Sequence, residues 1–297
     1  MARSRIKRDC RGRELIRAPD QPVIDVRRRR GFTLIEVLVV VAIIALLIAI
    51  LLPSLARAKE LSRRTICLHN TKMLGQCWQI YHTENKGEFL SGVAAANPND
   101  GTTAADETYP NWLSSNPPSW VRFITTSPTS KPVDIQIKAL QMGALYKYAH
   151  FVDIYHCPST QKNEIRTYST NWGISGFKPG TAYDIWYGRA SWKIDQLKPP
   201  GGRMVFIDDY PDDWDAVWTV TPWYFQFWNN LAARHDLGNT MGFGDGHSEY
   251  WHWLDQETIK WAQQPWGTAA PPINPNNRDI RRLQLASWGR IDNGGPP

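Results

Sequence analysis

Glu36 is the one charged residue inside an apolar segment that runs from Phe32 to Leu52. An unpaired carboxylate surrounded by hydrocarbon costs several kcal/mol, so a functional role is the first interpretation of such a residue. Glu36 lies four residues after Phe32, and residues with this spacing share one face of a helix. The segment therefore presents a carboxylate beside its own first residue.

A second group of chemically capable residues lies in the C-terminal half. His235, Asp245 and His247 flank a predicted hairpin, and Asp208 ends a predicted strand. Imidazole and carboxylate groups brought together could hold a divalent metal, and the carboxylate oxygens would suit calcium. The favoured interpretation is structural: His235 hydrogen-bonds the Asp245 carboxylate or a backbone carbonyl and fixes the hairpin, while Gly246 supplies a positive φ.

The sequence contains no HExxH, no phosphate-binding loop and no recognisable nucleophile–base pair. These absences predict that the chain is not an enzyme and carries no cofactor, with a calcium ion as the one alternative.

Three cysteines beyond the N-terminal region, Cys67, Cys77 and Cys157, are disulfide candidates. Cys67 and Cys77 lie about 15 Å apart along a helix, which is too far to bridge each other. Cys157 with either of them is the remaining option, and buried thiols are the alternative. None has CxxC spacing, so a zinc site built from cysteines is not expected.

The apolar segment is long enough to cross a bilayer. Its 21 residues would rise about 32 Å as a helix, and a bilayer core is about 30 Å thick. Arg27–Arg30 precede it and mark the cytoplasmic side. The sequence thus predicts one membrane-spanning helix with a cytoplasmic N-terminus and an extracytoplasmic C-terminal region.

The formal net charge of +6 is confined to the N-terminus. Residues 1–30 hold 11 of the 34 basic and 4 of the 28 acidic residues, which leaves 23 basic and 24 acidic residues elsewhere. The remainder has a net charge of −1, so the basic balance does not predict nucleic-acid binding.

Apolar residues recur at helical spacing after Pro53, with charges between them. This predicts one helix over residues 33–85, with a kink or local melting at Pro53 and an end at Asn85-Lys86-Gly87. Further predicted elements are helices at 136–149 and 255–264, strands at 151–157, 166–174 and 203–207, and a hairpin of 239–243 with 247–253 around Gly244-Asp245-Gly246. The predicted fold is α+β, with the long helix packed on an antiparallel sheet.

The residues at the start of the apolar segment resemble the class III leader of type IV prepilins and type II secretion pseudopilins. The matching positions are Gly31, Phe32, Thr33, Leu34, Ile35, Glu36 and Pro53. The resemblance implies that the α+β fold is pilin-like. It implies cleavage between Gly31 and Phe32 by a prepilin peptidase and N-methylation of the new Phe32 amine. It also implies that Glu36 of an incoming subunit pairs with the amine of a neighbouring subunit.

His235, nine residues, then Asp245-Gly246 resembles the H-X9-DG, prepilin-processing-associated domain. Other matching residues are Cys67, Asn70, Leu74, Gly75, Gly143, Tyr148, Cys157, Pro158, Tyr168, Asn171 and Arg234. The resemblance implies no biochemical activity. The predicted organisation is a leader at 1–31, a transmembrane helix at 32–53, its amphipathic continuation at 54–90, an irregular loop at 91–134, the H-X9-DG-like α+β domain at 135–264 and an irregular tail at 265–297.

The predicted function is that of a structural pseudopilin-like subunit in a bacterial inner membrane, within a type II secretion or type IV pilus-like assembly. Its expected partners are the prepilin peptidase, inner-membrane lipid and other pseudopilin-like subunits. One alternative is a membrane-anchored polysaccharide-binding module, because nine of the 15 tryptophans lie in loop-like sequence. These are Trp112, Trp120, Trp172, Trp186, Trp192, Trp214, Trp218, Trp223 and Trp228. A metal-dependent extracytoplasmic enzyme is the other alternative.

Overall fold

The computed structural model describes residues 32–92, 119–121, 132–160, 163–176, 190–210, 216–222, 224–227, 229–264 and 269–289. The predicted leader at 1–31 and most of the predicted loop at 91–134 lie outside this range. The chain divides into two compact units, Met1–Pro53 and Ser54–Pro297.

Helix α1 (Leu34–Glu84) contains 51 residues. In its first half the apolar side chains are exposed on every face, and among the described residues it is the helix long and apolar enough to cross a membrane. The helix assignment continues through Pro53, so the predicted local melting is not observed there. The helix ends as predicted, because Lys86 and Gly87 adopt left-handed backbone and the Gly87 N–H donates to the carbonyl of His82 at 2.7 Å.

Five strands form one sheet in the order β3-β1-β2-β4-β5. Their ranges are β1 (Tyr168–Asn171), β2 (Met204–Asp208), β3 (Val217–Trp218), β4 (Gly238–Phe243) and β5 (Ser248–His252). The α+β, pilin-like fold is confirmed, but the sheet is mixed, since β3 runs parallel to β1 while the other pairs are antiparallel. The long connection from β1 to β3 allows that parallel return, which a tight hairpin could not.

Both faces of the sheet are covered by hydrophobic side chains. Helix α1 packs on one face through a cluster that includes Leu74, Trp78, Trp120, Tyr168 and Phe206. The opposite face carries a second cluster that includes Trp218, Met241, Trp253, Leu283 and Trp288. Because both faces are covered, every residue of β1, β2 and β4 is buried, and these strands lack the alternation of a half-exposed sheet.

Glycines allow α1 to lie close to the sheet. A Cβ atom on Gly242 of β4 would approach the Thr71 carbonyl oxygen to 2.8 Å, and one on Gly75 would lie 3.6 Å from Gly246. The helix therefore runs against the backbone of the β4–β5 hairpin. The Gln79 side chain adds a hydrogen bond of 3.1 Å to the carbonyl of Gly244.

Two further helices follow the sheet, α3 (Gln256–Ala262) and α4 (Arg278–Trp288), after α2 (Val133–Gln141) earlier in the chain. The prediction of an irregular tail at 265–297 is wrong for α4. Asn277 caps this helix by accepting the Ile280 N–H at 3.0 Å, and Gly289, with a φ of 74°, ends it. Its buried face covers the second hydrophobic cluster.

Residues 151–157 are not a strand, contrary to the prediction. Val152–Tyr155 form a 3-10 helix, and the Asn70 side chain of α1 donates to the carbonyls of Asp153 and His156 at 3.3 and 3.1 Å. The Asn70 side chain thus forms the hydrogen bonds to these carbonyls that a neighbouring strand would have formed if the segment were a strand. The helix predicted at 136–149 likewise divides into α2 and a 3-10 turn at Ala144–Lys147.

Candidate functional site

The N-terminus of α1 is closed by a reciprocal hydrogen-bond arrangement. Glu36 accepts from the Thr33 backbone N–H at 2.8 Å and from the Thr33 hydroxyl at 2.7 Å, and the Glu36 N–H donates to that hydroxyl at 3.3 Å. This is a capping box, in which the first and fourth residues satisfy each other's backbone donors. The Thr-x-x-Glu spacing is the sequence signal of this cap, whereas the role predicted for Glu36 was subunit pairing alone.

Phe32 is 73% exposed, two residues before α1 begins. Gly31 lies outside the described residues, so cleavage between Gly31 and Phe32 remains a prediction. Glu36 is also exposed, which leaves its carboxylate accessible to a neighbouring amine.

The two ends of the H-X9-DG spacing lie at opposite ends of β4. His235 precedes the strand and Asp245-Gly246 follows it; six residues of strand extend about 17 Å. The predicted hydrogen bond between His235 and Asp245 is therefore wrong. The spacing reflects the length of β4 and separates two different turns.

The second turn is the predicted hairpin. Gly246 has a φ of 86°, and its N–H donates to the carbonyl of Phe243 at 2.9 Å. Asp245 accepts the His247 N–H at 3.1 Å and also contacts His247 Nδ1, while His247 Nε2 lies 3.2 Å from Glu249. Asp245 and His247 thus satisfy each other in a partly exposed turn. The predicted alternative, one metal site shared by Asp208, His235, Asp245 and His247, is therefore wrong.

The first turn holds an unusual backbone. His235, Asp236 and Leu237 adopt φ values of 56°, 67° and 61°, and none of them is glycine. Left-handed backbone costs about 1–2 kcal/mol per residue outside glycine. The Tyr250 hydroxyl of β5 helps to hold this turn, because its single proton lies between the carbonyls of His235 and Asp236, which are 2.6 and 2.9 Å from the hydroxyl oxygen.

This turn directs His235 into a buried polar cluster. One ligand atom each from Cys67, Cys157, Asp208 and His235 lies within 4.8 Å of all the others. The exposure of these residues is at most 3%. Two disulfide candidates, Cys67 and Cys157, thus lie beside two metal candidates, Asp208 and His235, although the four residues come from separate parts of the chain.

Specific contacts hold the cluster in place. His235 Nε2 lies 3.1 Å from Cys157 Sγ, and its Nδ1 lies 2.6 Å from Glu60 Oε1. The Tyr168 hydroxyl donates to Cys67 Sγ at 3.0 Å. Arg234 forms an ion pair of 2.6 Å with Asp208 Oδ1, which compensates the buried carboxylate.

The surroundings shift the acidity of several of these groups. Burial raises the pKa of the Cys157 thiol well above its usual range. Burial also raises the pKa of Tyr168 strongly, with the nearby Cys67 and Asp208 adding to the effect. Burial by itself would lower the pKa of His235, but Cys157, Asp208 and Glu60 outweigh it and raise that pKa.

Cys67, Cys77 and Cys157 are all buried and unbridged in the described structure. Cys77 lies apart from the cluster, on the same helix as Cys67. The disulfide prediction therefore fails in this structure, whereas the alternative of buried thiols holds. Two of these thiols face imidazole and carboxylate groups, an arrangement that metal ions commonly occupy.

The tryptophans proposed for sugar stacking are mostly core residues where they are described. Trp120, Trp172 and Trp218 are buried, and Trp192 is half-buried. The other five lie outside the described residues: Trp112, Trp186, Trp214, Trp223 and Trp228. The buried rings serve packing, so this part of the chain does not favour a polysaccharide-binding surface.

Comparison with known proteins identifies the N-terminal segment. Residues 26–52 match the prokaryotic N-terminal methylation motif. The chain is also 36% identical over 70 residues to the type IV wide pilus major component PilA4 of Thermus thermophilus, a match that covers 24% of this chain and 53% of that protein. The match thus spans about half the length of that relative. No solved structure matches the chain significantly.

The motif at residues 26–52, the partial match to a type IV pilin and the α+β fold with its long apolar helix make the chain similar to type IV prepilins. The similarity is carried by the N-terminal segment, and the apolar helix with the methylation motif indicates a single-pass membrane anchor. Pilin-like families are structural, and the absence of enzymatic activity in this chain stays a prediction. The resemblance of residues 135–264 to the H-X9-DG domain stays a prediction.

Proposed function

We propose that this chain is a pseudopilin-like structural subunit of a bacterial inner membrane, cleaved between Gly31 and Phe32 and N-methylated on Phe32. The observation that carries the proposal is the match of residues 26–52 to the methylation motif, directly followed by an apolar helix long enough to span a bilayer. The basic segment ending at Arg30 stays cytoplasmic, and residues 54–297 are extracytoplasmic.

Assembly depends on the helix that begins at Leu34. Within a type II secretion or type IV pilus-like complex, the methylated amine of one subunit meets the exposed carboxylate of Glu36 on another. Methylation keeps the amine charged and adds apolar bulk, so the amine remains an ion-pair partner in a medium of low dielectric constant. The partners are the prepilin peptidase, membrane lipid and subunits of the same class.

A glycine substitution tests the cleavage step. Gly31→Ala places a methyl group at the residue before the cut, where the family has glycine, and is expected to leave full-length precursor in the membrane. Gly12→Ala makes the same change within the basic segment and is expected to be processed normally. Immunoblotting of membranes from cells with a prepilin peptidase separates precursor from mature chain by size. Normal processing of Gly31→Ala would contradict the peptidase assignment.

A further inference from the structure

We propose that Cys67, Cys157, Asp208 and His235 bind one structural Zn²⁺ ion. The donor set consists of two thiols, one imidazole nitrogen and one carboxylate oxygen, all buried and mutually within 4.8 Å. Zinc binds such mixed sulfur, nitrogen and oxygen sets with four ligands. Calcium instead takes six to eight oxygen ligands, and this cluster offers a single carboxylate.

The spacing of the donor atoms suits a tetrahedral ion. With Zn–S near 2.3 Å and Zn–N near 2.0–2.1 Å, sulfur and nitrogen ligands of one tetrahedral ion lie about 3.5 Å apart. Cys157 Sγ and His235 Nε2 are 3.1 Å apart. To hold the ion, this pair would separate by a few tenths of an ångström, and the most distant of the four ligand atoms, which lie within 4.8 Å of one another, would approach by about 1 Å.

The groups around the cluster match those that usually support a zinc site. Glu60 lies 2.6 Å from His235 Nδ1, and a carboxylate in this position keeps the proton on Nδ1 and turns the Nε2 lone pair toward the metal. The Ser159 N–H points at Cys157 Sγ at 3.4 Å, and the Tyr168 hydroxyl donates to Cys67 Sγ at 3.0 Å. Hydrogen bonds of this kind stabilise thiolates.

The charge of the cluster is also compatible with the ion. Arg234 balances Asp208 through Oδ1, while Asp208 Oδ2 has no hydrogen-bond partner among the described residues although it is buried. A Zn²⁺ ion that displaces two thiol protons leaves the net charge of the buried cluster unchanged. Metal ligation would satisfy Oδ2, an atom that is otherwise costly to bury.

The ion would connect four parts of the fold. Cys67 belongs to α1, Cys157 follows the 3-10 helix Val152–Tyr155, Asp208 ends β2, and His235 lies in the strained turn before β4. All four ligand positions come from the protein, so the site is closed and structural rather than catalytic. A surface cleft reaches one of the four ligands, His235; it is lined by Arg57, Glu60, Leu61, Arg64, His235 and Asp236.

Metal analysis of the full-length chain tests this site. The chain is purified from membranes in detergent with a reducing agent, and its zinc content is measured by elemental mass spectrometry. One zinc per chain is expected for the native protein and for Cys77→Ser, a buried cysteine of α1 outside the cluster. Cys67→Ser and Cys157→Ser are expected to lose the zinc, and Glu60→Gln to weaken zinc binding about 10–100-fold.

Cobalt substitution keeps the test valid if a cysteine variant fails to fold. Co²⁺ bound to the native chain is expected to give a sulfur-to-cobalt charge-transfer band and the intense visible bands of a tetrahedral ion, and Cys77→Ser is expected to leave them unchanged. The proposal would be overturned if the native chain contained no zinc and also showed none of these bands after Co²⁺ was added. The proposal would also be overturned if a folded Cys67→Ser variant still contained zinc. A third contradicting result would be a Cys67–Cys157 disulfide, without bound metal, in protein whose free thiols were alkylated during extraction.

Discussion

Glu36 has two roles, one observed within its own helix and one proposed between subunits. Its carboxylate caps its own helix through Thr33, and in the proposed assembly it meets the amine of a neighbouring subunit. The two roles call for different chemistry, because a capping box accepts either glutamate or glutamine, whereas an ion pair requires the charge.

Glu36→Gln separates these roles. The variant keeps the hydrogen bonds of the capping box and loses the charge, so it is expected to be cleaved normally but to co-assemble with native subunits at least about tenfold less. A tenfold loss corresponds to about 1.4 kcal/mol. Crosslinking of tagged variant and native subunits in membranes measures the effect.

Glu36→Ala provides the comparison, because it removes both the cap and the charge. If Glu36→Gln assembled like the native chain while Glu36→Ala failed, capping alone would explain the role of Glu36, and the proposed ion pair would be wrong.

Short-range patterns made the N-terminal residues predictable from sequence. Gly31, Phe32 and Glu36 are close neighbours, so their spacing carries the motif. Cys67, Cys157 and His235 are far apart in the chain, and only the packing of α1 against the sheet joins them. For this reason the sequence predicted disulfide candidates and a hairpin metal site, but not their combination in one cluster.

Among the secondary-structure elements, helix α4 is connected to helix α3 by the residue that caps it. Asn277 is buried: its Oδ1 caps Ile280, and its Nδ2 donates to Thr258 at 3.1 Å and to Glu257 at 3.3 Å. One side chain thus ties the start of α4 to α3. The helix in turn covers the second face of the sheet.

Asn277→Ala is expected to lower the free energy of unfolding by about 1–3 kcal/mol, from the lost cap and the buried partners left unsatisfied. The neighbouring exposed Asn276 supplies the control, and Asn276→Ala is expected to change stability by less than about 0.5 kcal/mol. Tryptophan fluorescence during urea unfolding of the detergent-solubilised chain reports both values. Equal stability of the two variants would argue against the proposed importance of this cap.

Elements with a regular local pattern were predictable, and those determined by tertiary contacts were not. The spacing of apolar residues predicted α1 to within one residue at either end, and the Asp-Gly dipeptide predicted the β4–β5 hairpin. The supposed strand at 151–157 instead gives its carbonyls to Asn70. Asn70 lies on a distant helix, so no local pattern announces the contact.

For the molecule as a whole, the proposed cleavage changes its charge and its role. Residues 1–30 carry a net charge of +7, and the rest carries −1. Removing the basic segment would leave a nearly neutral chain whose apolar helix begins close to a methylated amine. In the proposed topology, the same segment would hold the N-terminus on the cytoplasmic side before cleavage.

The N-terminal residue of the mature chain is the most direct test of this account. Mass spectrometry of the protein extracted from membranes is expected to find an N-methylated Phe32 as the first residue. A mature chain that begins at Met1, or at any position after Phe32, would contradict the proposal that this protein is a processed prepilin-like subunit.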